Sequence, residues 1–287
     1  MLAIYKKELR AYFTSMIGYV FIAIFLVIIG IYFLIQNLLY ASANLEQTLS
    51  SFTFLVALLI PLLTMRLMAE ENKQKTDQLL YTSPVTAASI VVGKFLAVFT
   101  VFGSVLLMVC TFPLIMKLYG SVPFAGAYAG ILGFALLGAA YLSIGLFISS
   151  LTESQVVAAV ITFIVFIFTV FMDAIAGILP TSNRAAVVIF AVLLLAVCAL
   201  IYHMVHNETV AVGTGILCAG ALGAIYYLKP SLLDGSVIKV FGWFSVLKRY
   251  DSFAYGTFDV ASVVYYLSIT FLFIFLTVQM INKKRFN

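Results

Sequence analysis

RLMAEENKQKTDQLLYTSP, residues 66–84, is a polar island in an apolar chain. Arg66, Glu70, Glu71, Lys73, Lys75 and Asp77 carry charge within it, and long apolar runs stand on either side. Charged residues make up 9% of the 287 residues and apolar ones 64%. A soluble domain carries about 25% charged residues, and no soluble fold of this length hides so much apolar surface. The apolar runs recur from end to end. That predicts one integral membrane domain over 1–287 and leaves the island to be explained.

A helix needs about 20 apolar residues to cross the hydrocarbon. Eight runs qualify, at about 17–39, 52–68, 87–116, 126–149, 156–179, 185–203, 210–228 and 260–281. The expected fold is therefore an all-α integral membrane protein of about eight spans. Six spans, with 185–228 arranged otherwise, is the rival count. The first apolar run is too long for a cleavable signal.

Lys and Arg set the orientation. With an even number of spans, Lys6, Lys7, Arg10, Arg66, Lys73, Lys75, Lys94, Lys283, Lys284 and Arg285 share one side. Lys117, Arg184, Lys229, Lys239, Lys248 and Arg249 fall on the other. The richer side is cytoplasmic, so both termini and the island are expected there. Cations at the ends of apolar runs reflect membrane topology, which removes nucleic acid as a partner.

Four connections carry more than a link. In 1–16, Leu2, Tyr5, Leu9, Tyr12, Phe13 and Met16 recur at helical spacing, with Lys6, Lys7, Arg10 and Thr14 on another face. This predicts a basic amphipathic helix in the headgroup layer. In 69–84, Glu70 and Glu71 suit the first turn of a short helix. Pro84 ends it, and Thr86 can cap the next span. SSLTESQ, residues 149–155, lies on the same side and holds Glu153 and Gln155. The stretch 229–259 holds the only Trp, Trp243, beside Phe244, and is too apolar for a free loop. It reads as interfacial or re-entrant helices in the outer leaflet.

What the chain lacks narrows its function. Gly93-Lys94 is followed by Phe95, with Ala88 where a phosphate loop needs its first Gly, so this chain offers no nucleotide site of that kind. His203, His206 and Glu208 are too few for a metal site, and a wetted span end explains them better. Cys110, Cys198 and Cys218 are widely spaced inside apolar runs and fit neither a metal nor a disulfide pattern. Asp173 is the only acid well inside an apolar run. Ion-coupled carriers rely on buried ionisable groups, so an energy source would have to come from another protein, and the island is where it could dock.

Several motifs, in order, resemble the membrane permeases of type-two (ABC-2) ABC exporters, most closely the GldF/NosY-like branch. They are IYKKELRAYF, MRLMAEENKQKTDQLLYTSPV followed by IVVGKF, ISSLTESQVVAAVITF, and the block from Arg249 to Arg285. That family's pattern often has Gly before the Thr of the second motif, where this chain has Lys75. Many relatives have six spans, so 180–230 looks like an inserted pair in a six-span core.

The resemblance implies a division of labour. The amphipathic helix corresponds to the family's elbow helix, with Lys6, Lys7 and Arg10. The island corresponds to a coupling helix, whose ATPase contacts are Glu70, Glu71, Lys73, Lys75, Thr76 and Asp77, with Glu153 and Gln155 as a second site. Trp243 and Phe244 belong to the re-entrant region. Two cytoplasmic ABC ATPase subunits would carry ATP and Mg, and a second permease copy or a related permease would complete the pathway in a bacterial cell membrane. The chain itself would be no enzyme and bind no cofactor or metal. Two other readings stay open: a non-transporting scaffold of an ABC-like complex, and a self-contained channel or secondary carrier.

Overall fold

The computed structural model describes residues 1–76, 85–178, 189–191 and 235–286. Helices account for nearly all of them, and no strand occurs among the described residues. In order they are α1 (Leu2–Thr14), α2 (Met16–Phe33), a π-helical extension (Leu34–Leu39), α3 (Leu45–Thr64), α4 (Ala69–Gln74), α5 (Ala87–Val109) and α6 (Phe112–Lys117). Then follow α7 (Phe124–Leu151), α8 (Gln155–Ile178), α9 (Ser236–Phe244), a 3-10 turn (Lys248–Tyr250), α10 (Asp251–Ala254) and α11 (Val260–Phe286).

Among the described residues, six helical stretches are long and apolar enough to cross a membrane: Met16–Leu39, Leu45–Gln74, Ala87–Lys117, Phe124–Leu151, Gln155–Ile178 and Val260–Arg285. They coincide with six of the eight expected spans. Apart from residues 189–191, the expected pair at 185–203 and 210–228, with His203, His206 and Glu208, lies outside the described residues, as does Asp77.

The chain forms two compact units. The first comprises Met1–Phe168 and Arg249–Asn287. Its core is aromatic: Phe25 packs on Phe52 with ring centres 4.9 Å apart and on Phe102 at 5.8 Å, and Phe134 lies 6.1 Å from Phe102. α2 feeds this core with Phe21, Phe25, Ile29 and Phe33, one residue per turn, while Tyr19, Val20, Val27 and Ile31 face outward. Such an apolar outer face suits lipid rather than water.

α7 is the central helix, packed mainly against α3 and α11. Its glycines make room for neighbours of the same chain. A methyl on Gly138 would collide with Phe102, one on Gly133 with Phe253, and one on Gly145 with Thr64. Close approach at small residues gives helices in lipid their packing energy.

Caps mark the boundaries. Thr86 accepts the Ser89 amide at 3.3 Å and starts α5, as expected from sequence. Asp259 starts α11, accepting from the amides of Ala261 and Ser262 and from the Ser262 hydroxyl. Those bonds, the hydroxyl's foremost, hold its carboxyl below the usual range.

The second unit is Thr169–Lys248. Its described part includes the last turns of α8 and the amphipathic α9, which carries Trp243 and Phe244, both largely exposed. Asp173 pairs with Lys248 at 2.7 Å, with both side chains about half exposed.

Candidate functional site

The site lies at the end of the first unit where α1, α4, the start of α5 and the end of α7 meet. α3 ends at Thr64, a turn follows, and α4 begins at Ala69. One hydroxyl from α7 holds this corner. Ser149 Oγ accepts the amides of Met68 and Ala69, each at 3.1 Å, and donates to the Met65 carbonyl at 3.2 Å. It thus satisfies two amides at the N-terminus of α4 that the helix's own backbone leaves without partners. Three residues on, Asn72 Nδ2 donates to the Thr152 carbonyl at 3.0 Å. The two polar segments singled out in the sequence, 66–84 and 149–155, are therefore bonded to each other through the described part of the first, 66–76.

A buried ion cluster fixes the other face of α4. Lys94 is 1% exposed. Its ammonium donates to Glu8 Oε1 and the Leu67 carbonyl, both at 2.8 Å, and pairs with Glu71 Oε2 at 2.9 Å. The three donors of a lysine are thus all used. Lys7 closes the cluster, donating to Glu71 Oε1 at 2.9 Å. Two cations and two carboxylates balance, which meets the rule that buried charge must be paired. Burial works to lower Lys7, but the bond and charge of Glu71, with Glu8 and Glu70, hold it above its ordinary value.

α1 can reach this cluster because Gly93 has no side chain: a methyl there would stand 3.3 Å from the Ile4 side chain and the Met1 carbonyl. Tyr5 bonds Thr100 across the same interface at 3.1 Å. Further along, the Tyr12 hydroxyl donates to the Leu63 carbonyl at 2.6 Å. Arg66 lies over the Tyr12 ring at 5.7 Å, donates to Ser15 at 3.2 Å and pairs with Glu70 at 3.0 Å. Burial, ahead of the charge of Glu8, pushes the Tyr12 hydroxyl well above its ordinary value. The apolar stripe read from the sequence is therefore divided. Tyr5 and Tyr12 turn into the bundle with Glu8, while Leu2 and Met16 stay exposed, because α1 packs against α5.

The sequence-derived residues separate by exposure. Glu70 and Glu71 turn toward Arg66, Lys7 and Lys94. Lys73, Lys75, Thr76 and Glu153 are exposed, and Gln155 is partly exposed. Lys6 and Arg10 are exposed on α1. Lys75 ends α4 in the left-handed conformation, φ 56. That is the position where the related pattern often has Gly, and such a φ is the one glycine adopts without strain. The C-terminal cations come to the same end: Lys284 donates to the Ser150 carbonyl at 2.9 Å and Arg285 to the Val85 carbonyl at 3.2 Å.

Glu8, Asn72, Lys94 and Ser149 were not among the residues expected to matter. For Lys94 a signal existed. A lysine eight residues into an apolar helix needs an acid, but Glu8, Glu70, Glu71, Asp77 and Glu153 are all expected at that side and the sequence does not choose among them.

A family model described as ABC-2 family transporter protein matches residues 35–228. No curated protein matches the chain.

Proposed function

Because the chain belongs to the ABC-2 transporter family, it is a membrane permease component of an ABC transporter, and we propose that α4 is its coupling helix toward a separate ATPase. In this reading the protein is a GldF/NosY-like exporter permease with cytoplasmic termini. Two ATPase subunits bind ATP and Mg, and a second permease completes the pathway. α1 is the elbow helix, and 229–259, described from residue 235 onward, is the re-entrant region.

The observation that carries the reading is the division of labour on α4. Its exposed residues, Lys73, Lys75 and Thr76, with Glu153 and Gln155 of the adjoining segment, offer a polar surface to a soluble partner. Asp77, read from the sequence as part of the same contact, lies outside the described residues. Its inward residues, Glu70, Glu71 and Asn72, bind α1, α5, the α3–α4 turn and the end of α7. A push on α4 is thereby shared among four elements. Rigid tilting of packed helices is a known form of switching, and coupling is carried through such contiguous networks.

The test is contact. A single cysteine at position 73 or 153, in a chain otherwise lacking cysteines, should crosslink to the partner ATPase. A cysteine at Leu107, exposed on the apolar surface of α5, should not. Absence of a crosslink from both polar positions in an assembled complex would sink the assignment.

A further inference from the structure

At the end of the first unit opposite α4, two turns of the chain lie side by side. One joins the π-helical extension of α2 to α3, and the other joins α6 to α7. Phe33 stacks on Phe112 with ring centres 4.3 Å apart and holds the two together. Between residues 37–43 of the first and 116–122 of the second lies a cleft of about 420 Å³. Ligand clefts measure roughly 300–1,000 Å³. Leu39, Tyr40, Leu118 and Tyr119 beside it are between 71% and 82% exposed. Tyrosines at the ends of apolar spans mark the membrane–water boundary, so the cleft opens at that level.

No charged side chain lines the cleft. Lys117, next to it in sequence, is turned over the Phe124 ring at 5.5 Å. Much of the lining is small, with Ala41, Ser42 and Ala43 on one side and Gly120 and Ser121 on the other. Backbone is therefore within reach of a ligand, and much of it is unused. Among the described residues, neither the amide nor the carbonyl of Ala41, Ala43, Ser121 or Val122 bonds to another protein group. Ser42 is spent inward: its amide donates to the Gln36 carbonyl at 3.2 Å, and its carbonyl accepts from Asn37 Nδ2 at 2.9 Å. Asn37 lines the cleft and is 5% exposed. Its Oδ1 accepts from the Thr48 hydroxyl at 2.7 Å. One N–H and one lone pair of this buried carboxamide remain. Asn37 also lies in the π-helical turn Leu34–Leu39, and such turns are frequent at functional sites.

We propose that this cleft binds an extended, uncharged peptide segment of another molecule. A ligand here meets a carboxamide and two stretches of unpaired backbone, with no charge and few large side chains. Secondary amides donate and accept at every residue, which matches both walls. Adding an extended segment to unpaired backbone is a general mode of peptide recognition. An ion or a phosphate finds no opposite charge in the cleft. A lipid chain would leave the backbone groups of both turns without partners, which is costly away from water. A free peptide and a segment of a larger protein share the required chemistry. The site does not involve α4 and stands apart from the coupling assignment.

The experiment uses the full-length chain in nanodiscs and a photoreactive probe, acetyl-tetraalanine methylamide with one alanine replaced by a diazirine analogue of leucine. After irradiation, peptide mapping should place the label within 37–43 or 116–122, saturably and with competition by unlabelled acetyl-tetraalanine methylamide. A competitor N-methylated at every alanine lacks the N–H donors and should compete at least about tenfold more weakly, as the loss of several hydrogen bonds implies. Ser121→Trp, at an exposed residue of the cleft, fills it and should abolish labelling with the unfolding temperature unchanged. Asn37→Ala should weaken labelling too. Because Asn37 also ties Ser42 and Thr48, Ser121→Trp decides if that variant does not fold. Labelling by the free probe alone identifies a small peptide. Labelling also by the same sequence displayed on a loop of a soluble carrier protein identifies a protein segment. Label spread over the exposed apolar surface, equal competition by the N-methylated peptide, or undiminished labelling of Ser121→Trp would overturn the site.

Discussion

Lys94 and Glu71 meet at 2.9 Å, and the lysine of this pair is 1% exposed. The same ammonium holds Glu8 of α1. Removing it leaves two carboxylates facing each other in a low dielectric. Breaking a buried ion pair from one side costs about 3–5 kcal/mol. Lys94→Met should lower the unfolding temperature accordingly, and adding Glu8→Gln and Glu71→Gln should recover most of the loss. A single variant as stable as wild type would show the cluster to be loosely held.

Ser149→Ala removes the acceptor for two amides of the α3–α4 corner. Loss of such a cap costs about 1 kcal/mol. Hydrogen exchange at Met68 and Ala69 should speed up by roughly fivefold in this variant, as about 1 kcal/mol implies, with exchange around Phe134 unchanged. Equal exchange at the corner would mean that Ser149 does not hold it.

Lys75 adopts φ 56, a conformation that costs a side chain about 1 kcal/mol or more relative to glycine. Lys75→Gly should therefore leave α4 at least as well ordered, and Lys75→Val should fray it. Hydrogen exchange across 69–76 reads both. Faster exchange with Gly than with Lys would contradict the assigned backbone.

The helical glycines divide into two groups. Gly30 and Gly103 have open space around a would-be methyl, whereas those on Gly133 and Gly138 meet Phe253 and Phe102. Gly30→Ala and Gly103→Ala should be neutral or stabilising by up to about 1 kcal/mol. Gly138→Ala should destabilise by about 1–3 kcal/mol through overpacking. Thermal unfolding of the three variants checks the ordering, and a tolerant Gly138 would mean that α7 does not pack on Phe102 as described.

Six spans could be read from the sequence because each is a continuous apolar run, and Thr86 announced its cap. The island was legible as polar but not by face. A six-residue helix has fewer than two turns, too short for its periodicity to show that Glu71 points inward and Lys73 outward. Lys94 was legible as a cation in need of an acid but not by partner, because Glu8 is 86 residues away. Glu46, in the first turn of α3 and 6% exposed, was not singled out in the sequence, where an acid in the first turn of a helix is ordinary. Its burial depends on Gly126 and Gly256, which come from two distant segments.

The central claim is that the outward cations of α4 receive the ATPase. Lys73→Glu with Lys75→Glu reverses both while leaving the Lys94 cluster intact. Exposed pairs are worth up to about 1 kcal/mol each, and reversal adds repulsion to lost attraction. The measurement is the affinity of the reconstituted permease for its ATPase, together with ATP hydrolysis by the complex. The account predicts normal insertion and unfolding temperature, affinity weakened at least about tenfold, a change of about 1.4 kcal/mol, and partial recovery when the facing charges of the ATPase are reversed. Wild-type affinity and hydrolysis in the double variant would contradict it.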